Sequence, residues 1–190
     1  MNTVSSTARP IGVTEPSAMR GAAGIVTQFI ARLERIPNSL VALLARFSIA
    51  AVFWNSGQTK VEGLAINFVT GEFKLAWPRL SESALALFQD EYRLPLIPPD
   101  LAAPMAALAE HAFPLLLLFG LATRLSALAL LGMTAVIQLL VYPGAYATHG
   151  TWAAVLLYLM VQGPGRLSVD HWLASRFGPR RRSVLAHRGA

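Results

Sequence analysis

The sequence has few charged residues and no cysteine. Of its 190 residues, 14% are charged and 54% are hydrophobic, and the mean hydropathy is +0.49. Soluble domains carry about 25% charged residues, so a water-soluble globular domain is not expected. The absence of cysteine excludes disulfides, iron–sulfur clusters, cysteine-ligated zinc and thiol redox chemistry on this chain. The composition instead indicates an integral membrane protein.

Four apolar stretches are candidate membrane spans. A spanning helix needs about 20 mostly apolar residues, because a core of roughly 30 Å is crossed at about 1.5 Å per residue. The candidates are residues 40–57, 101–122, 125–141 and 149–163, of which the last is the shortest. The chain is therefore divided into a flexible, mostly disordered N-terminal tail (1–38), a membrane domain (39–172) and a basic C-terminal tail (173–190).

The positions of the arginines predict on which side of the membrane the tails lie. Basic residues beside spans are retained in the cytoplasm. Eleven arginines collect in the two tails and in the turn after the second span, namely Arg9, Arg20, Arg32, Arg35, Arg124, Arg166, Arg176, Arg180, Arg181, Arg182 and Arg188. Only an even number of spans puts both tails on one side. We therefore expect an all-α bundle of four transmembrane helices with both termini cytoplasmic.

The same arginines bear on the choice of partner. Basic residues beside a membrane are attracted by anionic lipid, so the lipid bilayer is the expected partner of the Arg180–Arg182 run. No aromatic residues alternate with this run in a way that would let bases stack. A nucleic-acid partner is therefore not expected.

The extracytoplasmic segment, residues 58–100, is too long for a turn and is expected to be partly helical. Ser81 can cap a short helix in which apolar residues from Ala84 to Tyr92 fall on one side. Pro95 and the two prolines that follow it should end this helix, because proline lacks the N–H donor. Its apolar face could lie on the membrane surface, cover the mouth of the bundle or dock a partner protein.

Two charges inside the predicted spans are the most informative residues. Arg46 lies about 9 Å into the first span and Glu110 about 18 Å into the second, at about 1.5 Å per residue from the cytoplasmic side. A buried charge is expensive in a membrane, so an ion pair between the two helices is predicted.

A proline adds to this cluster. Pro114 removes the helical hydrogen bond to the carbonyl of Glu110 and should kink the second span beside His111. Such a cluster could serve as a quinone head-group site or a proton relay, or it could only fix the packing of the helices. The other histidine near a span, His149, lies too far from the depth of His111 for both to hold one haem. No catalytic motif or metal-ligand spacing appears in the sequence.

Several blocks of the chain resemble the DoxX family of small bacterial membrane proteins. The first span reads Arg46-x3-Ala50-x2-Phe53-x3-Gly57-x2-Lys60. The stretch 88–138, which includes Glu110 and the turn that begins at Gly120, is also similar to that family, as is the closing Gly163–Asp170. Together these blocks cover Ser39 to Trp172.

The resemblance implies a four-helix protein of the bacterial inner membrane with cytoplasmic termini. It also implies a non-catalytic subunit or scaffold in a membrane complex concerned with redox stress or metal handling. A related branch supplies a subunit of a thiosulfate:quinone oxidoreductase, so a quinone-interacting subunit is the alternative, with quinone as the one implied cofactor. A small proton-coupled transporter and a homo-oligomer also stay open.

Overall fold

Helices make up most of the computed structural model, which describes residues 17–67 and 71–177. The helices are α1 (Ser17–Leu33), α2 (Asn38–Gln58), α3 (Glu82–Ala86), α4 (Pro99–Phe119), α5 (Thr123–Val136), α6 (Tyr146–Gln162) and α7 (Val169–Phe177). Two strands, β1 (Val61–Asn67) and β2 (Glu72–Leu80), follow α2. Helices α3 and α5 continue directly into π-helical turns, at Leu87–Tyr92 and Ile137–Val141 respectively.

Helix α1 belongs to a unit of its own, which ends at Pro37. The sequence predicts a mostly disordered tail here, whereas the structure has a helix over Ser17–Leu33. An apolar stripe at helical spacing accounts for this helix, and it comprises Ile25, Val26, Phe29, Ile30 and Leu33. Residues 1–16 lie outside the described residues.

Within the part of the chain that the structure describes, three helices are long and apolar enough to cross a membrane: α2, α4, and α5 together with its π-helical turn as Thr123–Val141. The fourth predicted span corresponds to α6, which has 17 residues and packs against both α5 and α2. The chain is thus a mostly helical membrane protein. The fourth span and the cytoplasmic position of the termini stay predictions.

The spanning helices pack through a core of small and branched side chains. Phe53 of α2 stacks on Trp152 of α6, with ring centroids 5.6 Å apart. Around this pair lie buried residues from all four helices of the core, namely Ala42, Ile49 and Ala50 of α2, Leu117 of α4, Ala127 and Leu130 of α5, and Leu156 and Leu159 of α6. Small residues let membrane helices approach closely. Close packing then stabilises their association, because the hydrophobic effect does not drive helices together inside lipid.

The expectation of an all-α fold is wrong for the segment after α2, which forms a β-hairpin. Strands β1 and β2 pair antiparallel, with Leu64 opposite Leu75 and a shift in register between Glu62 and Leu64. Gly63, at the shift, has a φ of +89°, a conformation that is costly for other residues. Alternation of Phe73, Leu75 and Trp77 with polar or small residues is the strand signal that the sequence analysis overlooked.

The helical part of the same segment is confirmed. Ser81 caps α3, and its Oγ accepts a hydrogen bond of 3.1 Å from the backbone N–H of Ala84. Phe88, in the π-helical turn, packs against Ala102 and Ala103 at the start of α4. The Leu87–Tyr92 turn therefore lies against the first turns of α4.

The start of α5 is capped from a distant part of the chain. The carboxylate of Asp170 in α7 accepts hydrogen bonds from the backbone N–H groups of Ala122 and Thr123, at 2.8 and 2.9 Å. A carboxylate at this position satisfies free N–H donors and complements the helix dipole. Residues 178–190, with the Arg180–Arg182 run, lie outside the described residues.

Candidate functional site

The predicted ion pair between Arg46 and Glu110 is wrong. Glu110 pairs instead with Lys60, whose Nζ lies 2.7 Å from Glu110 Oε2. Along α2, Arg46 lies 11 residues before Gly57, the residue that touches Glu110, and this separation is about 16 Å at 1.5 Å per residue. Lys60 follows the end of α2 and so reaches Glu110 more easily than Arg46 does.

The ion pair is completed by a serine one helical turn before Lys60. Ser56 Oγ donates to Glu110 Oε1 at 3.2 Å and accepts from Lys60 Nζ at 3.1 Å. Lys60 also donates to the backbone carbonyl of Ser56 at 3.3 Å. Only 5% of Lys60 and 3% of Glu110 is exposed. Both charges are therefore buried and paired, as an intramembrane carboxylate requires.

His111 lies next to this pair but bonds in a different direction. Its Nδ1 is 2.7 Å from the carbonyl of Ala107, so Nδ1 carries a proton and donates. Its Nε2 lies 2.8 Å from Nε2 of Gln58, and the Oε1 of the same amide accepts from the N–H of Ile66 in β1 at 2.8 Å. Gln58 therefore donates to His111, and the network holds the ring as the neutral Nδ1–H tautomer.

Glycine at position 57 permits the close approach of α2 and α4 at this point. A Cβ at Gly57 would lie 2.8 Å from His111 Cε1 and 3.1 Å from the Cβ of Glu110. Both distances are too short for two packed carbon atoms. The ion pair and the histidine thus lie where the two helices pack most tightly against a glycine.

An apolar pocket of about 240 Å³ opens beside the ion pair. Lys60, Glu110 and Ser56 form its polar end. Its apolar walls come from α4, from α5, from the π-helical turns and from the loop before α4, and include Phe88, Tyr92, Met105, Ala106, Met133 and Ile137. A mostly apolar pocket with a few convergent polar groups is the usual form of a small-molecule site, although this volume is below the common range of about 300–1,000 Å³.

Two tyrosines pack together beside the pocket. Tyr92 lines the pocket, and its ring packs edge-on against Tyr142 at 5.8 Å. Burial raises the pKa of Tyr92 above its ordinary value, so its phenol stays neutral. The hydroxyl of Tyr142 donates to Glu91, and this bond raises the pKa of Tyr142 in the same direction.

Arg46 forms a second polar cluster nearer the N-terminal end of α2. Its Nη2 donates to the carbonyl of Leu167 at 2.5 Å, and its Nη1 lies 3.5 Å from the carbonyl of Leu117. The guanidinium packs against Gly120, where a Cβ would lie 1.9 Å from Nη1. Arg46 is 1% exposed, and its guanidinium donates to backbone carbonyls. It joins α2 to the end of α4 and to the segment before α7.

The remaining residues named from the sequence have the following places. Helix α4 runs without a break through Pro114, which is buried inside it, and the kink stays a prediction. His149 is buried, and its Nδ1 lies 2.8 Å from Oε1 of Gln138. Among residues 17–67 and 71–177, no group of three potential metal ligands comes together.

Sequence reasoning missed the role of Lys60 and the two side chains that assist it. In the sequence, Lys60 stands out only as part of the family motif, because it lies past the end of the first predicted span. Ser56 and Lys60 are four residues apart and therefore share one helical face, which is the signal that could have found them. Gln58 carried no such signal, since its partner Ile66 belongs to the overlooked hairpin.

Comparison with known proteins agrees with the resemblance. The family model described as DoxX matches residues 41–143, which include both polar clusters except the Leu167 carbonyl. A protein of Haemophilus influenzae, named only as an uncharacterized protein, is 29% identical over 149 residues, covering 73% of this chain and 87% of its own length. No solved structure matches the chain.

Proposed function

The chain belongs to the DoxX family, and from this premise we propose that it is a non-catalytic membrane subunit that holds one lipid-soluble molecule of the quinone type. The observation that carries this proposal is the apolar pocket whose polar end is the buried Lys60–Glu110 pair. The proposed setting is a redox or stress-related membrane complex of the bacterial inner membrane. Redox electrons would pass between the bound molecule and a partner protein, because the chain has no cysteine.

The proposed topology has four spans with both termini in the cytoplasm. The 17-residue α6 supports a fourth crossing because it packs alongside α5 and α2 in the same core. The arginines in both tails support a common cytoplasmic side. With this topology the Lys60 end of α2 faces the extracytoplasmic leaflet.

The polar end of the pocket suits a ligand with a hydroxyl or carbonyl on a flat apolar ring. Each oxygen of Glu110 receives one contact, from Ser56 or from Lys60, so the carboxylate can still accept from a ligand hydroxyl. A ligand carbonyl can accept a hydrogen bond from Lys60 Nζ. This bond would replace the long one, of 3.3 Å, that Nζ donates to the Ser56 carbonyl. A quinol and a quinone supply these two groups in turn.

The direct test is to purify the protein with its native lipids and to measure the extracted quinone per protein by chromatography. We expect quinone to copurify with the wild type. Ala106→Phe should remove most of it by filling the pocket, since Ala106 lines the wall and takes no part in the ion pair. Glu110→Gln should lower it, because the amide replaces one acceptor oxygen with an NH₂ donor and removes the charge that pairs with Lys60.

Glu62→Gln is the matched control, because Glu62 is an exposed acid on the hairpin. Its quinone content should equal that of the wild type. Folding of every variant is checked by gel filtration and thermal unfolding. Equal quinone content in the wild type and Ala106→Phe, or none in the wild type, would contradict the binding proposal.

A further inference from the structure

The β-hairpin presents apolar side chains on its exposed strand. Of the side chains of β2, Leu75 is 80% and Trp77 84% exposed. Patches of this kind mark interaction surfaces in proteins. We propose that this strand inserts into the lipid headgroup–acyl boundary of the leaflet in which α2 ends, and that lipid is its partner. The inference is independent of the proposed quinone site.

The first step is that the hairpin is fixed to the end of a membrane-spanning helix. Trp54 Nε1 donates to the carbonyl of Ile66 at 3.0 Å, and Gln58 Oε1 accepts from the N–H of the same residue at 2.8 Å. Trp54 and Gln58 are one turn apart at the end of α2, a candidate span. The hairpin is therefore held beside the last turn of α2 and does not project away from it.

The second step is the level of the hairpin along α4. Val61, Leu64 and Pro78 line one pocket together with Leu108 and Leu115 of α4. Leu108 is nine residues past Pro99, the first residue of α4, or about 14 Å along the helix at 1.5 Å per residue. Leu115 is 16 residues past Pro99, or about 24 Å along α4 by the same rise, so the hairpin lies against the side of a spanning helix and not beyond its end.

The third step is continuity with the surface that faces lipid. Helix α4 has an exposed apolar stripe at helical spacing, formed by Leu101, Met105, Leu108, Leu115 and Phe119. Two of these residues are the ones that line the pocket with the hairpin. The exposed side chains of β2 therefore extend the lipid-facing surface of α4 instead of forming a separate patch.

The side chains of β2 determine how deeply the hairpin lies in the membrane. Tryptophan is enriched at membrane–water boundaries, and Lys74 and Arg79 can extend their charges to the headgroups. A two-stranded sheet has open edges, which do not occur in the hydrocarbon interior because their N–H and C=O groups would be unsatisfied. Pro78 reduces this demand by removing one donor. These features favour the boundary over the interior.

The test uses the absence of cysteine, which makes any introduced thiol unique. Leu75→Cys and, as the matched control, Lys74→Cys are spin-labelled in the full chain and reconstituted into liposomes of phosphatidylethanolamine and phosphatidylglycerol. Adjacent strand residues point to opposite faces. We expect the label at position 75 to be relaxed at least about threefold more by oxygen than by a water-soluble nickel chelate, and the label at position 74 to show the reverse preference.

Three outcomes would overturn the inference. Strong relaxation by the nickel chelate at both positions would mean that the strand lies in water. Disulfide-linked dimers of Leu75→Cys together with exclusion of both reagents would assign the face to a second copy. If both reagents are excluded from the label in native membranes but not in liposomes, the face would be assigned to a partner protein. Trp77→Phe, read by the depth of the label at position 75, checks the anchoring role, and a shallower label is expected.

Discussion

Two buried cations, Arg46 in the N-terminal half of α2 and Lys60 just past its C-terminal end, are held in different ways. Arg46 bonds to the backbone carbonyls of Leu167 and Leu117, whereas Lys60 pairs with the carboxylate of Glu110. Arg46 packs against Gly120, and Lys60 borders an apolar pocket. A cation held by carbonyls can fasten chain segments together. A cation paired with an acid beside a pocket can also exchange hydrogen bonds with a ligand.

Removing one charge from each end gives the largest expected difference. Lys60→Met leaves the Glu110 carboxylate buried without its partner, and breaking a buried pair costs about 3–5 kcal/mol. Arg46→Met leaves the carbonyls of Leu167 and Leu117 without their donor, at about 1–3 kcal/mol, and removes the charge interaction with Asp170. Thermal unfolding in detergent should therefore place Lys60→Met below Arg46→Met, although Arg46 is the larger side chain.

The double variant Lys60→Met with Glu110→Leu provides the control for this prediction. It removes both charges, so it should unfold at a higher temperature than Lys60→Met alone. A double variant no more stable than the single one, or equal losses at the two ends of α2, would show that the comparison between the ends is mistaken.

Adding one methyl group at the Arg46 end tests whether this end works by close packing. Gly120 has a φ of +66°, and its Cβ would lie 1.9 Å from Arg46 Nη1. The left-handed conformation costs alanine about 1–2 kcal/mol, and overpacking typically adds about 1–3 kcal/mol. Gly120→Ala should lower the free energy of unfolding by about 2–5 kcal/mol, as measured by chemical denaturation.

Gly132→Ala is the matched control. Gly132 lies inside α5, and a Cβ there would meet nothing within 4 Å. Alanine in place of a helical glycine stabilises by about 0.8–1.0 kcal/mol, so the two substitutions should have opposite signs. A loss at Gly132 as large as that at Gly120 would argue against a local effect of Arg46.

The smallest expected effect is the loss of thermal stability at alkaline pH, and it concerns the Lys60 end of α2. The bond to Glu91 and burial raise the pKa of Tyr142, so the folded state keeps a phenol proton that the unfolded chain loses near pH 10. The stabilisation is complete below that pH and decreases as the pH rises above it. Tyr142→Phe should therefore flatten the decrease in thermal stability above about pH 10. Tyr146→Phe, an exposed tyrosine, should leave the decrease unchanged.

The membrane helices could be predicted from the sequence, and the hairpin could not be predicted as easily. Long apolar runs gave the helices that became α2, α4 and α5, because length and hydropathy determine what can cross a bilayer. The Ser81 cap was also found, since capping is a local interaction. The second strand left one local signal, the alternation of Phe73, Leu75 and Trp77. The placement of the hairpin depends instead on contacts of Ile66 with Trp54 and Gln58, which a local pattern does not contain.

The candidate site was predicted in part. Glu110 and His111 were recognised as buried polar residues in a span, because their cost in lipid depends only on depth. The partner of Glu110 was misassigned, since the choice between Arg46 and Lys60 depends on how far α2 and α4 are offset. That offset follows from packing at Gly57 and Gly120, which sequence spacing does not determine.

The tight contact at Gly57 restricts how a molecule could reach the pocket. Parting α2 from α4 there would also disturb the Gln58–His111 bond and the Lys60–Glu110 pair. The opposite side is bounded by the two π-helical turns, at Leu87–Tyr92 and Ile137–Val141. Entry by lateral diffusion from the bilayer, between these turns, would leave both helices in place.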